Sequence, residues 1–157
     1  MSSQLYSDLL AQSRALTEGE PDLIANLANI SALLYEHIED INWLGFYLTR
    51  SDNELVLGPF QGRVACVRIS FGKGVCGVAA ETQTCQRVED VHQFAGHIAC
   101  DSASNSEVVA PIVVNGKTVA VLDVDSPSVG RFSEEDAKAI QAIADYCQTL
   151  NWQGLQS

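Results

Sequence analysis

Cys100 sits in the stretch "AGHIACDSASNSE", where small and polar residues follow one another with no hydrophobic periodicity to place a thiol in a core. His97 precedes it by three positions and Asp101 follows it directly. Cysteine is among the most buried residue types, so one in a loop either packs beneath that loop or is there for its reactivity. Four further cysteines occur, Cys66, Cys76, Cys85 and Cys147. An odd count disfavours a fully paired scaffold and leaves redox chemistry, metal ligation or plain burial. His92, His97 and Cys100 form an H-x4-H-x2-C pattern. No C-x2-C pair accompanies it, and three neighbouring loop residues rarely close a zinc site, so no metal is expected.

A second group is acidic. Asp123 and Asp125 stand two apart in "VAVLDVDS", which puts both side chains on one face of a strand. An aspartate beside a turn ordinarily caps it or faces water. Here Val119, Val121, Leu122 and Val124 surround the pair, so the strand is apolar on both faces. Acids on such a strand point into a cavity or are costly. Trp43 and Tyr47 lie on an earlier apolar strand, where a tryptophan is most often core.

The elements that must position these residues follow from periodicity. Gln4 to Thr17 reads as a helix with Leu5, Leu9 and Leu16 near one face, ended by "EGEP". Pro21 opens a second helix, whose stripe is Leu23, Leu27, Ile30, Leu34 and Ile38; His37 near its end suits the helix dipole. The pattern then changes. "NWLGFYLTR" and "NELVLGPF" are predicted strands joined by "SDN", and "RVACVRIS" alternates like a third. The glycine-rich "FGKGVCGVAAETQ" ends in a short helix, "CQRVED" is a brief strand, and a long lid-like loop runs from about Asp90 to Asn105. "SEVVAPIVVNGKTVAVLDVDS" is a hairpin turning at Asn115-Gly116. Ser133 caps a last helix with an acidic first turn and the stripe Ile140, Ile143, Cys147, Leu150. Cys147 on that stripe, and Cys85, read as structural. Cys76 in "GKGVCGVAA" fits packing and chemistry equally. The whole predicts an α+β domain with about six mostly antiparallel strands. The N- and C-terminal helices pack on one face and a lid covers a pocket on the other.

Length and charge bound the function. A chain of 157 residues fits one domain over 1–157, able to bury roughly 70% of its extended surface. The net charge of −11 argues against nucleic acid or an anionic membrane as partner. "MSSQLYSDLL" lacks the basic and apolar regions of a leader, so a cytoplasmic location is expected.

This order of elements resembles a GAF domain, a small-molecule-binding fold of sensors and occasional enzymes. Within it, "RVACVRISFGKGVCGVAAETQ" followed by "VEDVHQFAGHIACDSASNSEVVAPI" is similar to the free methionine-(R)-sulfoxide reductase family. Cys66, Cys76 and Cys100 stand 10 and 24 residues apart, as in that family, and "WLGFY" and "LDVDSP" match as well. The resemblance covers nearly the whole chain. Ala95 departs from it, where the family often has proline before "GHIAC".

The resemblance implies that Cys100 attacks the sulfoxide sulfur and becomes a sulfenic acid as methionine leaves. Cys66 then resolves it as a disulfide, with Cys76 as alternative or relay, and thioredoxin restores the thiols. Glu107, Asp123 and Asp125 match positions that hold the substrate. Ionised, they attract the α-ammonium of a free amino acid; crowded, Glu107 or Asp125 stays protonated and donates to the sulfoxide oxygen. Trp43 becomes a wall against the S-methyl group, and Tyr47 offers its hydroxyl to the substrate. No cofactor is required, and a homodimer is left open. One tension accompanies this reading: carboxylates near Cys100 would raise its pKa, which His97 or loop N–H groups would have to offset. The competing reading is a non-catalytic GAF sensor that binds a small ligand, which leaves the three-cysteine spacing unexplained.

Overall fold

The computed structural model describes residues 2–96 and 103–156. Two helices open the chain, α1 (Ser3–Thr17) and α2 (Leu23–His37). Strands β1 (Trp43–Ser51), β2 (Glu54–Gly62) and β3 (Arg68–Ser70) follow, then α3 (Gly74–Thr82), β4 (Gln86–Val88) and a 3-10 turn at Val91–Gln93. The hairpin β5 (Ser106–Val114) and β6 (Lys117–Ser126) precedes α4 (Glu134–Cys147). The strands form one sheet in the order β3-β2-β1-β6-β5-β4, and each neighbouring pair is antiparallel. The hairpin turns where the sequence predicts, with positive φ at both Asn115 and Gly116. No helix among the described residues is long and apolar enough to cross a membrane.

Two cores lie on opposite faces of the sheet. Leu44, Phe46 and Leu48 of β1, Val108, Ala110 and Ile112 of β5, and Ala120, Leu122 and Val124 of β6 pack against α1, α2 and α4. The predicted α2 stripe is buried there at all five positions. Trp43, Tyr47, Val109 and Val121 belong to the other face, with Val75, Cys76, Ala79 and Ala80 of α3. The period of two in side-chain direction produces this partition. Ser133 caps α4 in a capping box with Asp136, which also accepts from the Tyr6 hydroxyl at 2.9 Å.

Three expectations change. In α1 the inward face is Tyr6, Leu9, Ser13 and Thr17, while Leu16 is exposed. The two polar members hide the stripe from a hydrophobicity reading; the Thr17 hydroxyl meets that of Tyr146. Pro21 precedes the second helix instead of opening it, because Asp22 is the cap and accepts from the Ala25 N–H. The third strand is short. In "RVACVRIS" only Arg68–Ser70 pairs with β2, and Cys66 is therefore not on a strand. The Leu57 N–H still reaches Val67 O, but before that side chains take over: the Trp43 indole N–H donates to Arg63 O and the Tyr47 hydroxyl to Cys66 O.

Candidate functional site

Strand register assembles the acidic group. On β5 and β6, Glu107 lies directly opposite Asp125, and Val109 opposite Asp123. On the other side of β6, β1 places Trp43 opposite Asp125 and Gly45 opposite Asp123. One row across the sheet therefore runs Trp43, Asp125, Glu107, and the next runs Gly45, Asp123, Val109. All face α3, away from the terminal helices. Gly45 admits Phe60 of β2, since a Cβ there would come within 2.2 Å of the Phe60 Cβ.

The three carboxylates are buried, with Glu107 at 8%, Asp123 at 5% and Asp125 at 8% relative exposure. Among the described residues none is paired with lysine or arginine. One oxygen each of Asp123 and Asp125 has no hydrogen-bond partner there. Burial pushes the Glu107 and Asp125 carboxyls well above the usual carboxylate range, and the charge of Asp123 pushes both further. Groups this close release their protons as a set, so any proton held at neutral pH belongs to the cluster.

Cys76, in the first turn of α3, completes the group. Its Sγ–H donates to Asp123 Oδ2 at 3.3 Å. Burial pushes this thiol well above its ordinary value, followed by the charges of Asp123, Glu107 and Asp125. Cys76 is thus packed and in contact with the carboxylate cluster. A thiol kept protonated is a poor nucleophile.

Trp43 forms the wall beside Asp125. It is buried and stacks on Phe60 with centroids 5.2 Å apart and on Tyr47 at 5.8 Å. Gly62 fixes its edge: at φ +133° it sits where a Cβ would meet the indole Cδ1 at 2.6 Å. Phe60 and Gly62 were missed in the sequence. The signal for Phe60 is Gly45, an isolated glycine in an apolar strand that marks a close approach. The Tyr47 hydroxyl spends its proton on the Cys66 carbonyl at 2.9 Å, so it anchors the Cys66 segment. Burial, then the charges of Asp123, Cys76, Asp125 and Glu107, push its phenol up.

Cys66 is disulfide-bonded, whereas Cys76, Cys85 and Cys147 carry free thiols. Cys147 is fully buried behind the terminal helices, where burial pushes it up to about 12, and half-buried Cys85 packs at the edge of the same core. Both pack with the helix-side core. Cys100 and His97 lie outside the described residues. Of the metal pattern His92, His97 and Cys100, only His92 is described, with its ring Nε2 3.1 Å from Asn105 Oδ1.

The GAF domain model matches residues 13–149. The chain is 55% identical over 141 residues to the free methionine-R-sulfoxide reductase of Escherichia coli, covering 90% of this chain and 85% of that protein. The structure is similar to a free methionine-R-sulfoxide reductase of Neisseria meningitidis solved in complex with its substrate, with TM-score 0.92, 40% identity, and 99% of this chain and 95% of that chain covered. It is also similar to the substrate complex of the Staphylococcus aureus enzyme, with TM-score 0.87, 48% identity, and 93% and 95% covered. A carboxylate cluster beside an aromatic wall, on the sheet face away from the terminal helices, is thus carried by a chain that belongs to the GAF-domain family and, within it, to the free methionine-(R)-sulfoxide reductases.

Proposed function

We propose that this protein reduces free L-methionine-(R)-S-oxide to methionine through a thiol, sulfenic acid and disulfide cycle. The observation that carries the reading is the buried set Glu107, Asp123 and Asp125, crowded together with unpartnered oxygens and no cation beside it among the described residues. Buried carboxylates of this kind are costly unless a ligand satisfies them. A single amino acid supplies what they lack: an α-ammonium for the ionised members and a sulfoxide oxygen for the member that keeps its proton. Trp43 lines the same row and receives the S-methyl group.

The Cys100 thiolate attacks the sulfoxide sulfur while the carboxylate cluster protonates the oxygen. Methionine departs, leaving Cys100 as Cys–SOH. A second cysteine thiol attacks the sulfenic sulfur, its proton leaving with the hydroxyl as water and a disulfide forming. Cys66 is the stronger candidate for that step. It is the described cysteine that is disulfide-bonded, and Tyr47 holds its segment against the site. Cys76 is the weaker one, since its proton is held by burial and three carboxylates. A dithiol protein of the thioredoxin type then takes the disulfide by exchange. The acidic surface suits a cytoplasmic enzyme without nucleic-acid or membrane partners, acting as monomer or homodimer.

The test is NADPH oxidation coupled through thioredoxin reductase and thioredoxin, with the free R-sulfoxide as the sole oxidant. Turnover that needs all components, and that is absent with the S-epimer, supports the reading. No turnover with the R-sulfoxide refutes it. Cys66→Ser should release one methionine per enzyme and then stop at the sulfenic acid; full recycling by thioredoxin would assign resolution to Cys76.

A further inference from the structure

We propose that Cys76, Glu107 and Asp123 form a coordination site for a thiophilic divalent cation of the zinc type, with Asp125 beside them as a further carboxylate donor. The thiol sulfur and one carboxylate oxygen from each acid lie within 4.8 Å of one another, and all three residues are buried. The Sγ and Asp123 Oδ2 are 3.3 Å apart. Zinc bonds of about 2.3 Å to sulfur and about 2.0–2.2 Å to oxygen, at tetrahedral angles, place those donors about 3.5 Å apart. The Cys76–Asp123 pair already has that spacing, and the remaining donors lie within 4.8 Å.

A second observation points to a ligand. Asp125 is more than nine-tenths buried, lies in register with Glu107 across the hairpin, and has an oxygen with no partner among the described residues. Asp123 has another. Mutual hydrogen bonding therefore leaves acceptor capacity in the cluster, and a cation takes it up. The donor set selects the class of cation. Three carboxylates alone suit magnesium or calcium, whereas a thiolate among carboxylates selects the softer zinc and cobalt ions. On binding, the Sγ–H bond breaks, the metal–sulfur bond forms and the proton goes to solvent, with a second proton following if the cluster holds one. The cation takes the place proposed for the substrate ammonium, so the two compete. Its binding does not itself depend on the protein being a reductase.

Cobalt(II) is the probe, added without reductant so that the Cys66 disulfide stays closed. Stoichiometric binding, proton release and a sulfur-to-cobalt charge-transfer band in the near ultraviolet are expected. Cys76→Ser should abolish the band and weaken binding at least about 10-fold, since even outer-shell partners cost that much. Cys85→Ser should change neither. Asp123→Asn should weaken binding by a similar factor while the band persists at saturation, which keeps the test sharp if the serine variant is misfolded by circular dichroism. Absence of stoichiometric binding, or a band that survives in a folded Cys76→Ser protein, overturns the site. Free methionine-(R)-sulfoxide should raise the apparent Kd for cobalt; a reductase whose substrate leaves that Kd unchanged overturns the shared location. Cobalt bound through Cys76 in a protein without sulfoxide reductase activity leaves the cation site standing and removes the functional reading instead.

Discussion

The two faces of the sheet use the same strands to opposite ends. On β5 and β6, Val108, Ala110, Ala120, Leu122 and Val124 turn toward the terminal helices and join their apolar core. Their immediate neighbours in sequence, Glu107, Asp123 and Asp125, turn the other way and are buried as well. One side lowers the free energy of the fold by burying hydrocarbon. The other raises it by burying carboxylates that lack a cation among the described residues. A strand separates stability from chemistry at a spacing of one residue. Each face can then be altered while the other keeps its composition.

The largest effect is expected at the proposed nucleophile. Cys100→Ser should lower thioredoxin-coupled turnover by on the order of 10⁵-fold or more, as loss of a nucleophile does, with Tm close to wild type. Activity near wild type would remove Cys100 from the cycle. The carboxylate face comes next, tested through the ligand. N-acetyl-methionine sulfoxide keeps the sulfoxide and loses the ammonium, so kcat/KM should fall by about 10⁴-fold. Equal values for the free and acetylated R-sulfoxides would show that the acids do not read the amino group.

On the helix-covered face, Leu122→Ala should cost about 2–5 kcal/mol in denaturant unfolding. Its kcat/KM should change less than about threefold at temperatures where it stays folded, because its side chain points away from Asp123. A large drop in kcat/KM with unchanged stability would erase the distinction between faces.

The smallest expected effect has the opposite sign. Glu107→Gln and Asp125→Asn should raise Tm at neutral pH while impairing turnover. The direction follows from linkage. Burial and the charge of Asp123 raise both carboxyls, so above the ordinary carboxylate range the native state holds more protons than the unfolded chain. Stability therefore falls as pH rises from that range through the raised values, and the penalty is absent below it. Thermal unfolding from mildly acidic to alkaline pH checks this. Wild type should lose stability across the window and each variant should lose less. Identical slopes would mean that the cluster costs the fold nothing.

Local pattern determined much of this protein. The α2 stripe, the Ser133 cap, the Asn115-Gly116 turn and the alternation of β6 depend on neighbours a few residues apart, and each was legible in the sequence. The aspartate pair was legible for the same reason, since two residues apart on a strand means one face. Partners distant in sequence were decided only by the fold. Strand register brought Glu107 against Asp125 and Trp43 beside them, and α3 carried the Cys76 thiol onto Asp123. The periodicity of "RVACVRIS" predicted a strand through Cys66. The carbonyls of Arg63 and Cys66 instead went to the Trp43 and Tyr47 side chains, because a hydrogen bond from a distant aromatic satisfies a backbone group as well as a ladder does. Helix α1 shows the same limit: Thr17 faces inward where a hydrophobicity stripe expects leucine, because Tyr146, far along the chain, meets its hydroxyl, whereas Ser13 is buried beside it with a hydroxyl that has no partner among the described residues.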